Sequence, residues 1–286
     1  MTIPVLDRLE AGDVRAVALD GHVHFYPGAD LSLALSAGRK NLVAGAAARG
    51  FPAVLPCLML TETVRENAFA ALRSGEMAIP GWQLSGLRDD PAALVAADAE
   101  GRRILLVAGR QIVTAEKIEV LAFGMTGAHP DGRPLADVLA GLAELGHPAV
   151  LPWGLGKWLG RRGATLSVLV AEGRVPGRLL GDNAGRPPGW RSPLLAAAAA
   201  AGIPVLPGTD PLPVPGAEAG IGRFGGLLDA PVDPARPAQG ICARLAGRET
   251  ALPVLGRRSG LARILSGQRA LRRRRAAPAI GPEAAT

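Results

Sequence analysis

The run Leu19-Asp20-Gly21-His22-Val23-His24-Phe25 holds two of the chain's four histidines, spaced two residues apart. It ends an apolar stretch, Val14 to Leu19, that reads as a buried β-strand. Along a strand, residues i and i+2 share a face. Both imidazoles are therefore expected to point the same way from the strand's carboxyl end, with Asp20 on that face one pair earlier. Neutral imidazole is a ligand for zinc, iron and manganese, so the pair forms half of a divalent-metal site. The alternative is a hydrogen-bonded histidine pair at a strand end, since burying the two without partners would be costly.

A strand that ends in ligands needs neighbours to complete the site. Apolar runs predict further strands at Ala53–Leu60, Ile104–Val113, Ile118–Phe123, Ala149–Trp153, Arg178–Leu180 and Ile203–Leu206. Between them, Ala- and Leu-rich stretches predict helices at Leu31–Arg49, Thr63–Ser74, Pro91–Glu100, Leu135–Leu145, Thr165–Glu172, Pro193–Ala201 and Pro234–Leu245. Gly50, Gly101, Gly146, Gly173 and Gly202 stand where left-handed helix caps are expected. Strands alternating with helices imply a parallel sheet. Seven such units in one domain of residues 1–275 favour a distorted TIM-like (β/α)7 barrel, with a disordered tail at 276–286.

In a parallel barrel the chemistry gathers at the carboxyl ends of the strands. That rule places Glu62, Gln111, Thr114, Glu116, His129, Lys157, Arg161, Arg162, Asp182, Asn183, Arg186, Thr209 and Asp210 on the candidate active face. His147 precedes its strand and is assigned to the opposite end. Gly154-Leu155-Gly156-Lys157-Trp158-Leu159-Gly160-Arg161-Arg162 is a glycine-punctuated basic loop without the Gly-Lys-Ser/Thr ending of a P-loop. Its Lys157, and Arg186 beyond Gly181-Asp182-Asn183, are candidates to hold an anionic group. Asp182 and Asn183 are candidates to complete a metal shell or to hydrogen-bond a substrate. Gly222-Arg223-Phe224-Gly225-Gly226 reads as a further loop in which Arg223 could clamp substrate.

Composition narrows the partners. The formal net charge is +7 and the pI near 10.5, but much of the excess lies in Arg269–Arg275, which reads as the charged end of a last helix. Aromatics are only 3% of residues, leaving little for bases to stack on, so nucleic acid is not expected as a partner. Cys57 and Cys242 show no metal or redox spacing. No signal-peptide core opens the sequence, and the Ala-rich segment Leu194–Leu206 is too short to span a bilayer. A cytoplasmic protein without a transmembrane segment is expected.

At these residues the chain resembles the PHP (polymerase and histidinol phosphatase) family, near relatives of the amidohydrolases. Asp20, His22 and His24 match its opening Asp-x-His-x-His, and Asp30 is similar to a later acid of that loop. Gly109-Arg110-Gln111-Ile112-Val113-Thr114 resembles its Gly-x-Glu-x-x-Thr segment. Glu119-Val120-Leu121-Ala122-Phe123-Gly124 resembles the short strand on which the family carries a histidine. Gly208-Thr209-Asp210 matches most of its closing Gly-Ser-Asp-x-His, with Leu212 in place of the histidine. The similarity runs from about residue 16 to 212. The chain departs from the family at Gln111, Glu119, Leu151-Pro152-Trp153 and Leu212.

The resemblance implies a PHP-like barrel with a divalent metal, zinc or manganese, as one or two ions held by His22, His24, Asp210 and Glu119. It implies metal-dependent hydrolysis of a small anionic ester, a phosphoester first, with Asp210 as the catalytic carboxylate. Amide or lactone hydrolysis in amidohydrolase fashion is an alternative. A catalytically degenerate PHP-like binding or accessory protein is another, and the departures favour it.

Overall fold

A computed structural model describes residues 2–10, 15–127, 129–154, 156–173, 175, 177–247 and 252–276, the last three by backbone alone. The tail expected at 276–286 falls beyond these except for Ala276, and the Arg274 and Arg275 side chains and Leu155 of the basic loop also lie outside the described residues. The chain opens with β1 (Val5–Leu6), β2 (Val17–Val23), α1 (Leu31–Ala47), β3 (Leu55–Leu60) and α2 (Ala68–Ser74). There follow β4 (Trp82–Leu87), β5 (Asp90–Asp98), β6 (Arg103–Val107), β7 (Gly109–Val113) and β8 (Glu119–Phe123). Then come α3 (Leu135–Glu144), β9 (Ala149–Pro152), α4 (Gly160–Ala171), β10 (Arg178–Asn183), α5 (Pro193–Ala200) and β11 (Val205–Gly208). The last elements are β12 (Phe224–Leu228), α6 (Pro237–Ala246), β13 (Val254–Gly256) and α7 (Leu261–Ala276).

The fold is mixed α/β with two sheets. One has the strand order β1-β4-β5-β6-β3-β2-β12-β13, the other β11-β10-β9-β8-β7. The expected parallel pairing holds for β2 with β3, β3 with β6, β9 with β10 and β10 with β11. It fails elsewhere: β4, β5 and β6 form an antiparallel meander, β8 is antiparallel to β7 and β9, and β12 is antiparallel to β2.

The segment Pro91–Glu100, expected as a helix, is most of strand β5. Its Asp-Pro start, alanines and closing glycine are helix punctuation. In the fold the Asp90 carboxylate instead caps a different helix, accepting from Ala238 N at 2.7 Å at the start of α6. Ala93, Leu94, Val95 and Ala96 are all buried, between β4 and β6, as a strand covered on both faces requires. Gly101 (φ +75°) serves the hairpin to β6 rather than a helix end. Gly222–Gly226, expected as a loop, is a glycine and Arg223 followed by the buried start of β12. There Gly225 lets β12 lie on β2, since a Cβ would meet Leu19 O at 2.4 Å.

Two apolar cores result. The larger joins the first sheet with α1 and α6, through residues such as Leu35, Leu58 and Ile241. The smaller joins the second sheet with α3, α4 and α5, through Val138, Leu151, Leu166 and Ala198.

The sheets meet at two seams. At one, Glu62 and Arg110 form a parallel bridge, with Glu62 N donating to Gly109 O and Gln111 N to Glu62 O. At the other, β2 runs against β11. A Cβ on Gly21 would lie 2.5 Å from Leu206 Cγ, and one on Gly208 would lie 2.5 Å from His22 N. Glycine at both positions is what lets the backbones close up, and Asp210 N then donates to His22 O at 2.8 Å.

Candidate metal centre and its cleft

That second seam sets the site. His22 leaves β2 where its register with β3 shifts between Asp20 and Val23, and His24 follows one residue past the strand. Both imidazoles are buried. His22 Nε2 lies 3.1 Å from His24 Nε2 and 3.5 Å from Asp210 Oδ1. Two ligand atoms each 2.0–2.1 Å from a tetrahedral metal would lie ~3.3 Å apart. The three residues form a group whose ligand atoms all fall within 4.8 Å of one another.

The surroundings prepare these atoms as ligands. Burial drives His22 down to about 4, against the pull of Asp210, so its imidazole is neutral near pH 7. Buried Glu66 faces His24 Nδ1 at 3.4 Å. A carboxylate there favours the tautomer with the proton on Nδ1, which leaves a lone pair on Nε2, an atom 3.1 Å from His22 Nε2 and 3.4 Å from the Thr61 hydroxyl. The donor set fits a divalent ion such as zinc or manganese.

Asp210 is held from three sides. Its amide bonds to His22 O, its Oδ2 accepts from Asn183 Nδ2 at 2.9 Å, and its backbone sits at φ +51°. A left-handed conformation is uncommon outside glycine, though Asp is among the residues that tolerate it. Asn183 is fixed in turn by Trp153 O at 2.7 Å and by Gly185 N, which donates to its Oδ1 at 2.9 Å.

Asp20 does not join the histidines as expected. Its carboxylate accepts from Thr209 N (2.7 Å), the Thr209 hydroxyl, Gly222 N (2.8 Å) and His22 N (3.2 Å). Burial pushes it up to about 6 although all four donors oppose that. The register shift accounts for the difference, because regular strand pairing is interrupted between Asp20 and Val23. Asp20 pins β2 to the Thr209 and Gly222 turns and so carries Asp210 into place.

Several other expected site residues have different partners. Glu119 is not in the converging group, since both its oxygens bind Lys157 Nζ at 2.6 and 2.7 Å. Lys157 lines the cleft but is already neutralised by this pair. Arg186 is buried, doubly bonded to Asp182 at 2.7 Å and 2.7 Å and bonded to Trp190 O, so it does not face a ligand. Asp182 is spent on Arg186 and Arg258. Glu62 accepts from Phe69 N at 2.6 Å and pairs with Arg110, and Glu116 caps α3 through Leu135 N. Thr114 accepts from Ile118 N. His129 is half-buried and faces Pro130 O at 3.1 Å, and Arg161 and Arg162 lie in the first turn of α4. Arg223 is exposed at the cleft.

The centre opens into a cleft of about 1050 Å³ whose walls include Tyr26, Gln111, Trp153, Lys157 and residues of α7. Tyr26 stacks on His24 with ring centres 5.0 Å apart and planes 12° apart. Glu66, Tyr26 and Arg258 escaped the sequence reading. Tyr26 continues the His22–His24 alternation and so carried a usable signal. Glu66 falls in the stretch expected as helix Thr63–Ser74, although α2 starts only at Ala68, and Arg258 lies far along the chain with no motif to mark it.

No protein-family model matches the sequence, and no curated protein matches it. The chain is similar in structure to PsfC from Pseudomonas syringae PB-5123, at 16% sequence identity and a TM-score of 0.50, over 92% of this chain and 99% of that one. That likeness concerns the fold alone. Among the described residues, no helix is long and apolar enough to cross a membrane.

Proposed function

We propose that the protein is a divalent-metal-dependent hydrolase of a small anionic ester, a phosphoester first, built on a distorted seven-stranded PHP-like barrel. The observation that carries this reading is the convergence of His22 Nε2, His24 Nε2 and Asp210 Oδ1 beside a cleft lined by basic residues. The barrel reading draws on the two seams. At one the Glu62–Arg110 bridge joins the chain after β3 to β7, and at the other β11 lies against β2, so each end of the five-stranded sheet approaches the parallel strands of the larger one.

Zinc or manganese held by His22, His24 and Asp210 would supply Lewis-acid activation of water and neutralise charge on the attacked ester. The protein's own groups do the rest. Asp210, oriented by Asn183, offers the carboxylate that positions a water and takes its proton. Glu66 holds the His24 tautomer. Arg223 stands at the cleft for an anionic group.

A second reading, a metal-free PHP-like binding protein, is favoured by the Lys157–Glu119 pair, which removes the one further carboxylate the resemblance assigns to the metal. Metal analysis of protein purified without chelators separates the two. The hydrolase reading expects about one ion per chain, lost in the His22→Ala/His24→Ala variant. It also expects turnover of one class in a panel of phosphomonoesters, phosphodiesters and lactones with Mn²⁺ or Zn²⁺ added. A wild-type protein that takes up no metal when supplied overturns it. Turnover confined to the lactones would move the chemistry to the amidohydrolase alternative.

A further inference from the structure

We propose that the cleft carries a second anion subsite, centred on Arg258 and Arg263, and that its natural ligand bears two anionic groups joined by a short spacer. The subsite stands on its own geometry. Calling the ligand a substrate rests on the hydrolase reading above.

Arg258 is the anchor. Its Nε and Nη2 donate to Asp182 Oδ2 at 3.1 and 2.7 Å, and its guanidinium lies over the Phe224 ring, 5.4 Å from the centroid. These contacts fix the plane of the group while leaving it part-exposed on the cleft wall. Nη1 has no hydrogen-bond partner among the described residues. The same carboxylate also neutralises Arg186, so Asp182, Arg186 and Arg258 together carry one net positive charge. A guanidinium held flat with free N–H groups is built to receive phosphate or carboxylate oxygens.

Neighbouring residues add to the charge. Arg257 and Arg263 face the same cleft, with no carboxylate partner among the described residues. Helix α7 is seated by Gly267, where a Cβ would lie 2.9 Å from Leu212 Cδ1. Arg263, four residues earlier, shares that helix face.

The two subsites are mechanically joined. Ser259 N donates to Ala184 O at 2.9 Å, and Ala184 follows Asn183, the residue that orients Asp210. The arginine wall is thus tied through one short loop to the metal centre. A single small ester would leave much of the 1050 Å³ cleft unfilled, since that volume is at the upper end of the ~300–1,000 Å³ usual for small-molecule sites.

The test is calorimetric titration of the full chain at low salt with inorganic phosphate and with propane-1,3-diyl bisphosphate. In metal-free protein, phosphate binding is expected to weaken about tenfold in Arg258→Gln/Arg263→Gln. It should stay within about twofold in His22→Ala/His24→Ala. Phosphate binding indifferent to the arginines, or absent, overturns the subsite. With Mn²⁺ supplied, the bisphosphate is expected to bind at least about tenfold tighter than phosphate, and either double variant should remove that gain. A bisphosphate with no gain in metal-loaded wild type overturns the two-anion ligand. A protein that binds no metal defeats the hydrolase reading, while the metal-free phosphate result still decides the subsite. Because Arg258 also supports Asp182, the exposed pair Arg257→Gln/Arg263→Gln is a parallel variant. It should weaken phosphate binding severalfold with an unchanged thermal midpoint, and no weakening in a folded variant counts against the subsite.

Discussion

Two polar clusters stand at strand ends along the same cleft, and they use their charges in opposite ways. In the Asp182–Arg186–Arg258 cluster, carboxylate oxygens meet guanidinium donors at 2.7 Å, leaving one surplus positive charge. In the His22–His24–Asp210 cluster, three acceptor-capable atoms converge, with Asn183 behind Asp210, Glu66 behind His24, and the Thr61 hydroxyl, which donates to Val23 O, 3.4 Å from His24 Nε2. In the first arrangement Asp182 and buried Arg186 satisfy each other without a ligand, and only Arg258 keeps N–H groups free toward the cleft. The second places lone pairs together, which a folded chain tolerates most easily when a cation fills the space between them. Polar type and strand position alone do not separate a structural cluster from a chemical one. Whether donors match acceptors does.

The strongest way to break this contrast is Asp210→Asn. Turnover is expected to fall by about 10²–10⁴-fold in a steady-state assay, with the thermal midpoint little changed. A large loss of stability instead would mean that Asp210 belongs with the structural cluster. The reciprocal variant, Asp182→Ala, should leave the buried Arg186 unpaired and cost about 3–5 kcal/mol of unfolding free energy in a urea titration. Its metal content should remain that of the wild type.

A smaller effect is expected at Glu66, which touches the centre only through His24. Glu66→Ala should weaken metal affinity by about 10–100-fold in a competitive chelator titration, while Glu66→Gln retains part of it. Smallest is Lys157→Met. Removing the ammonium frees the Glu119 carboxylate near His22, whose ring already feels that charge, and metal affinity should rise severalfold in the same titration. No rise would show that Glu119 lies out of reach of the centre even when released.

How much of this was legible in the sequence differs by element. The helices at 31–47, 135–144 and 193–200 follow from local apolar runs and stop signals, and they form as read. The β2 strand and the shared direction of His22 and His24 were also readable, because two-residue spacing is a local property of the chain. Segment 91–100 was not. Its residues favour a helix on their own, and only burial between two partner strands makes it a strand. Asp90, which just precedes it, caps a helix almost 150 residues away.

What the sequence determined by itself, then, was the periodicity of its segments and the identity of the histidine pair. What only the tertiary structure decided was pairing across long separations. It took Asp20 away from the metal group by engaging it with Thr209 and Gly222. It brought Asp210 to His22 through the glycine-lined contact of β2 with β11. It tied Glu119 to Lys157 and Arg186 to Asp182. The physical reason is that a side chain's charge and shape are written at its own position, but the atom that satisfies it is chosen by backbone packing. That packing depends on contacts between residues far apart in the chain, and no local pattern records it.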